Sequence, residues 1–192
     1  GVGITVKHLR DKGIDCVGVE LAKPLAIKGA DQHIQVGMSA LDIPSTEAKC
    51  YNTNLLLDVI EHIADPVEYL QNLANAFPNL SLIIVTVPAR PELWSDYDEF
   101  YGHYKRYTLD LVKTLSHQLG WKQAWCSYIF HLIWFPAWAI LKLKMKRSLK
   151  TIAPKGGSKL VHRVISYIIF LEYKLIPRSV VGTSILCCFH LK

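Results

Sequence analysis

Apolar and polar positions alternate between two rhythms along the first two thirds of the chain. In ITVKHLRDKG, Val6, Leu9 and Arg10 recur at helical spacing and Gly13 stands where a helix stops. IDCVGVE reads as a short buried strand ending in an acid, and DQHIQVGMSALDIP as a strand and loop. NLLLDVI is a continuous apolar run, the pattern of a parallel strand buried on both faces. DPVEYLQNLANAF predicts a helix with Asp65 as N-cap and Pro66 just inside its start. SLIIVTVP predicts another apolar strand, and TLDLVKTLSHQLG a helix capped by Thr108 and stopped by Gly120.

Strands and helices alternating at this spacing predict an α/β domain with a mostly parallel, Rossmann-like sheet. Ligands of such sheets sit at the carboxyl ends of the strands. That rule singles out the Gly1–Gly3 turn, Glu20, Ser39–Ala40, Leu57–Asp58 and the segment after Val87.

The last third follows a different pattern. YIFHLIWFPAWAIL is apolar or aromatic around one histidine, is interrupted by Pro136, and runs into the basic KLKMKRSLK. It is too short for a good membrane span. VHRVISYIIFLEYKLIP predicts a second apolar helix, with Glu172 inside it. PKGGSK reads as a short linker, and GTSILCCFHLK as a closing antiparallel edge strand.

Charge sharpens this division. Of the 192 residues, 1–110 carry a net −6, and 111–192 carry 13 Lys and Arg against Glu172 alone, a net +12. Apolar, Trp-rich helices beside basic clusters suit attachment at a membrane surface, and the competing reading is packing on the domain or on a second subunit. Five cysteines without metal-ligand spacing suit a reduced, cytoplasmic-facing chain, which the apolar, basic helices would make peripheral on a membrane. Nucleic acid is a poor partner, because the aromatics sit in apolar runs and not among basic residues. The sequence sets no oligomeric state.

The opening glycines gain meaning in combination. Gly1-Val-Gly3 leads into a helix and then a strand ending at Glu20. Glycines admit close backbone approach to a ligand, and an acid at a strand tip can accept from both hydroxyls of a ribose. This is the arrangement for a nucleoside-bearing cofactor. An NAD-type fingerprint would need a third glycine where Val6 stands. No P-loop, Gly-x-Ser-x-Gly or His-Glu-x-x-His is present.

MSALDIP, LLLDVIEHIADPVEYLQNL, IIVTVP and EFYGHYKRYTLDLVKTLSHQLGW follow in that order. The series resembles the class I S-adenosylmethionine-dependent methyltransferases, in particular the broad type 11/12/23-like group. The resemblance covers about residues 1–128 and returns at 182–191, and DVIEHIADP and GHYKRYT are its most specific parts. It implies S-adenosylmethionine as cofactor. Gly1 and Gly3 would flank its methionine part, Glu20 its ribose, and Leu21 its adenine. Ser39 falls where the group usually has an Asp for the adenine amino group. Ala40 would offer its backbone N–H, and Leu57 and Asp58 would line the methionine end. The group's first strand and the front of its glycine loop do not precede Gly1, so the resemblance reads the chain as N-terminally truncated. Losing that strand would leave unpaired edges on its neighbours.

Methyl transfer needs in-line positioning and exclusion of water, and an oxygen acceptor also needs a base. His103 is the candidate base. Arg106 and Tyr107 are candidates to grip an anionic or sugar-like substrate, and Lys105 and Arg106 read equally as a solvated face. His62 reads as structural, bonding neighbouring loops. No metal site is expected, because Glu61 and His62, adjacent on a helix, would diverge by about 100°.

The expectation is therefore a single methyltransferase domain over 1–192, with an apolar, basic helical insertion at 129–178 as a cap or membrane-surface element. Its acceptor would be an amphipathic or lipid-linked small molecule, quinone-like or a sugar, methylated on oxygen. The alternative is a catalytically impaired methyltransferase-like module binding partners through its hydrophobic C-terminal region.

Overall fold

The computed structural model describes residues 1–23, 31–143 and 159–191. All of the PKGGSK linker but Lys159, and most of the basic KLKMKRSLK run, lie outside them. The chain forms two compact units, Gly1–Tyr51 with Asn72–Asn79, and Asn52–Gln71 with Leu80–Lys192.

In the first unit, helix α1 (Ile4–Asp11) starts at Gly3, which takes a left-handed φ of 90°. It ends where the pattern predicts: Gly13, at φ 80°, donates to the Arg10 carbonyl, and Ile14 to Leu9. Strand β1 (Gly18–Glu20) pairs in parallel with β2 (Ile34–Val36), Glu20 opposite Val36. A short helix, α2 (Ser45–Ala48), follows. Ala48, Leu73 and Phe77 are buried here, and the Tyr51 and Phe77 rings meet at 6.2 Å.

The second unit holds a four-stranded sheet, β3 (Thr53–Leu57), β4 (Leu82–Pro88), β6 (Ser184–His190) and β5 (Lys122–Ile129), in that spatial order. β3 and β4 are parallel, and β6 runs antiparallel to both of its neighbours. Alternate residues Ile83, Val85 and Val87 of β4, and Ile185, Cys187 and Phe189 of β6, form the core. Helix α3 (Pro66–Ala76) begins as expected, with Asp65 Oδ1 accepting from the N–H groups of Val67 and Glu68. Helices α4 (Asp96–Tyr101) and α5 (Leu109–Leu119) follow, α5 between the Thr108 cap and Gly120. All five cysteines are free.

Three expectations change. The GTSILCCFHLK strand is not an edge: it lies between β4 and β5, pairing on both sides. KQAWCSYI, which the apolar pattern did not mark as a strand, forms the edge as β5. β3 is not buried on both faces, for Leu55 and Leu57 remain 38% and 39% exposed. Among the described residues β3 has a partner along one edge only, and β1–β2 forms a separate two-stranded sheet.

Helices α6 (His131–Lys142) and α7 (Lys159–Leu175) occupy the chain between β5 and β6. Glu172 is 5% exposed, and its carboxylate accepts from the backbone N–H groups of His131 and Leu132, at the start of α6. The one acid of this basic third thus caps a helix N-terminus, where backbone donors lack partners and the dipole favours an anion. Leu132, Ile133 and Phe135 of α6 are exposed, as are Leu160, Val164, Tyr167, Ile168 and Phe170 of α7. Among the described residues no helix is long and apolar enough to cross a membrane.

Candidate functional site

In the first unit the cofactor candidates stand at strand ends. Glu20 closes β1, and its carboxylate accepts from the Ala22 N–H at 3.0 Å and meets the Gly1 amino group. Leu21, next in sequence, is 73% exposed. Ser39 caps the 3₁₀ turn Ala40–Asp42: its hydroxyl accepts from the Leu41 N–H, and Asp42 Oδ2 accepts from the Ser39 N–H at 2.7 Å. A left-handed glycine opening a helix, an acceptor-only carboxylate at the end of β1, and an exposed leucine beside it fit a ribose diol and an adjoining base.

In the second unit Leu57 ends β3, and Asp58 turns away from it at a φ of 54°. That conformation is uncommon outside glycine, and Thr86 secures it. The Asp58 N–H donates to the Thr86 carbonyl at 3.0 Å, and the Thr86 hydroxyl donates to Asp58 Oδ1 at 3.1 Å. Arg90, just past β4, also has a positive φ, 69°. Both strained residues sit at carboxyl ends of the parallel pair, where this fold class holds its ligands.

The two most specific sequence motifs are joined in space. The Tyr104 N–H donates to the Glu61 carbonyl at 2.7 Å, and the Tyr107 hydroxyl to the Ile60 carbonyl at 3.2 Å. Tyr107 also bridges to β4, donating to the Pro88 carbonyl and accepting from the Arg90 N–H. GHYKRYT is thereby fixed against DVIEHIADP.

At the centre of this junction is Asp98, fully buried in α4. Its Oδ1 accepts from His103 Nδ1 at 2.9 Å and from Arg106 Nε at 2.8 Å, and its Oδ2 accepts from the Ser95 N–H at 2.9 Å. Burial alone would raise the Asp98 pKa, but the bonds from Arg106 and His103 outweigh it and hold the carboxyl below its usual range. With Nδ1 directed at a carboxylate, His103 keeps Nε2 for other chemistry.

Arg106 and Tyr107, the candidates for gripping substrate, spend these hydrogen bonds inside the protein. The Arg106 guanidinium holds Asp98 and the Ala89 carbonyl, and Tyr107 is 2% exposed, its phenol pKa pushed up by burial. Among the described residues the His62 side chain makes no hydrogen bond to the neighbouring loops, contrary to expectation. Among the described residues its exposed ring meets that of His103 edge-on, at 4.7 Å between centroids.

Residues Ile60–His62 form a 3₁₀ turn, in which neighbours still diverge by about 120°. The expected divergence does not keep the group apart, because the His103 loop is tied to this turn, and one ligand atom each of Glu61, His62 and His103 lies within 4.8 Å of the others. Glu61 is 1% exposed, and among the described residues no other residue hydrogen-bonds its carboxylate oxygens. Burial, aided by the Asp58 and Asp98 carboxylates, pushes its pKa up to about 8.

A family model described as "Methyltransferase domain" matches residues 1–124. No curated protein matches the chain. Among solved structures, a SAM-dependent methyltransferase from Archaeoglobus fulgidus is 18% identical, with a TM-score of 0.53 over 99% of this chain and 82% of that one. A SAM-dependent methyltransferase from Thermotoga maritima is 14% identical, at 0.53 over 100% and 80%. The plantazolicin methyltransferase BpumL, solved with a triazolic desmethylPZN analog and SAH, is 14% identical, at 0.54 over 99% and 73%. At such identities the structures establish a shared fold, and the family match establishes membership. The chain belongs to the methyltransferase domain family.

Proposed function

We propose that this chain methylates an oxygen of an amphipathic or lipid-linked small molecule, quinone-like or a sugar. The observation that carries the oxygen reading is the buried Asp98–His103 pair. A carboxylate on Nδ1 selects the tautomer whose Nε2 accepts a proton, the form a hydroxyl nucleophile needs as its base. Asp58 and the His103 loop would face the acceptor, with Arg106 and Tyr107 fixing the wall behind it. Bound S-adenosylmethionine supplies an electrophilic methyl group on a good leaving group. Glu20 would hold its ribose, Leu21 its adenine, and Gly1, Gly3, Ser39, Ala40, Leu57 and Asp58 would complete the cofactor contacts.

The amphipathic part of the reading is supported by the exposed apolar side chains of α6 and α7 in a net +12 region. Segment 129–178 would serve as a cap resting on an anionic membrane surface and admitting the acceptor from it. The test is methyl transfer from labelled cofactor to a short-chain quinol and to lipid-linked sugars, with anionic vesicles present. Transfer that falls at least about 100-fold in His103→Gln, with cofactor affinity unchanged, is expected. Equal activity of that variant removes the base. Activity and vesicle sedimentation both indifferent to Val164→Ser, Ile168→Ser and Phe170→Ser together remove the membrane reading.

A further inference from the structure

We infer that Glu61, His62 and His103 form a binding site for one borderline divalent metal ion of the zinc class, with the His103 ligand being Nε2. One carboxylate and two imidazoles are the donor set of catalytic zinc sites, which keep a position open for water or substrate. One ligand atom of each residue already lies within 4.8 Å of those of the other two. Around a tetrahedral ion with bonds of about 2.1 Å they would sit about 3.4 Å apart, a contraction that side-chain rotation can supply.

Glu61 is the independent indication of a ligand. Both its oxygens are buried and, among the described residues, no other residue hydrogen-bonds them. An unpaired buried carboxylate is costly, and replacing the missing partners with a cation removes the cost. The surroundings are also those of metal-binding histidines. His103 Nδ1 is held by Asp98, which is held in turn by Arg106 and Ser95. A carboxylate behind a ligating imidazole fixes its orientation and raises its basicity. The backbone bond from Tyr104 to Glu61 keeps the two contributing segments in register.

The ion's use rests on the proposed function, but the site does not. A hydroxyl in the open position loses its proton to solvent more readily, so the loaded protein would activate the acceptor through the ion, and His103 would act as base only in the metal-free protein.

The test is cobalt titration of the untagged full chain after chelator treatment, read by visible absorption and by calorimetry. One equivalent should bind with an intense tetrahedral-type band that zinc abolishes. Glu61→Gln, His62→Gln and His103→Gln should each weaken binding at least about 100-fold, and Asp98→Asn about tenfold. Circular dichroism checks that each variant is folded. Absence of a band together with no zinc-induced rise in melting temperature overturns the site, as does wild-type affinity in a folded Glu61→Gln chain. Cofactor calorimetry, run in parallel, reads the methyltransferase function separately. Metal binding without cofactor binding leaves the site standing and refutes that function, and the converse does the reverse.

Discussion

Asp98→Asn tests the electrostatic design of the junction more sharply than deletion, because it preserves shape. In the native protein both oxygens accept: Oδ1 from His103 and Arg106, Oδ2 from the Ser95 N–H. An asparagine has one acceptor and one donor end, so either orientation points an NH₂ at a donor. With the amide nitrogen toward Oδ1, it opposes Arg106 and the His103 proton. With it toward Oδ2, it opposes the Ser95 N–H and breaks the capping box that starts α4. The Arg106 side chain is only 10% exposed and Asp98 is not exposed at all, so solvent cannot replace the lost charge. Removing one partner of such a pair costs about 3–5 kcal/mol. The retained bonds of asparagine should hold the loss near the lower end, about 3 kcal/mol, or a melting-point drop of about 6–12 °C for a chain of this size. Urea denaturation of metal-free wild type, Asp98→Asn, Asp98→Ala, Arg106→Ala and the Asp98→Ala/Arg106→Ala double variant measures it. The double-mutant cycle should return a coupling of about 2 kcal/mol or more. A loss below about 1 kcal/mol in Asp98→Asn, or additive single losses, would refute the view that this buried charge organises the site.

Other outcomes follow from the same geometry. Glu172→Ala should destabilise by about 2–3 kcal/mol through loss of its bonds to the start of α6, while Glu172→Gln, which keeps one acceptor, should lose less; denaturant midpoints rank the two. Gly182→Ala should cost about 1–3 kcal/mol, because a Cβ there would run into the Ile129 backbone, and a melting temperature equal to wild type would contradict that packing. Thr108→Ala should cost about 1 kcal/mol by removing the cap on α5, read from the urea midpoint. Glu20→Ala should weaken S-adenosylmethionine binding at least about tenfold by calorimetry without lowering stability, since the carboxylate is partly exposed.

Local rules carried far along this chain. The ends of α1, α3 and α5 are readable because capping is a matter of a few adjacent residues: Gly13, Asp65, Thr108 and Gly120 act on backbone groups within a turn of themselves. The succession of α1, β1, β2, β3, α3, β4 and α5, the acid ending β1 and the two specific motifs are equally open to sequence reasoning, whereas β5 is not. Strand position is not. Whether GTSILCCFHLK is an edge or an interior strand depends on which segments pair with it, and its alternating pattern is the same in either place. The exposure of Leu55 and Leu57 depends likewise on what lies against β3. The site shows the division most clearly. Glu61 and His62 are neighbours in sequence, and an ideal helix would send them apart. A loop tied back by Tyr104 and Tyr107 brings His103 to both of them. Sequence determined which chemical groups were available, because residue identity is local. Tertiary structure alone decided that His103 is held by a buried carboxylate and that Glu61 is buried with no other described residue bonded to its carboxylate, because burial and hydrogen bonding across 42 residues are properties of the packed chain.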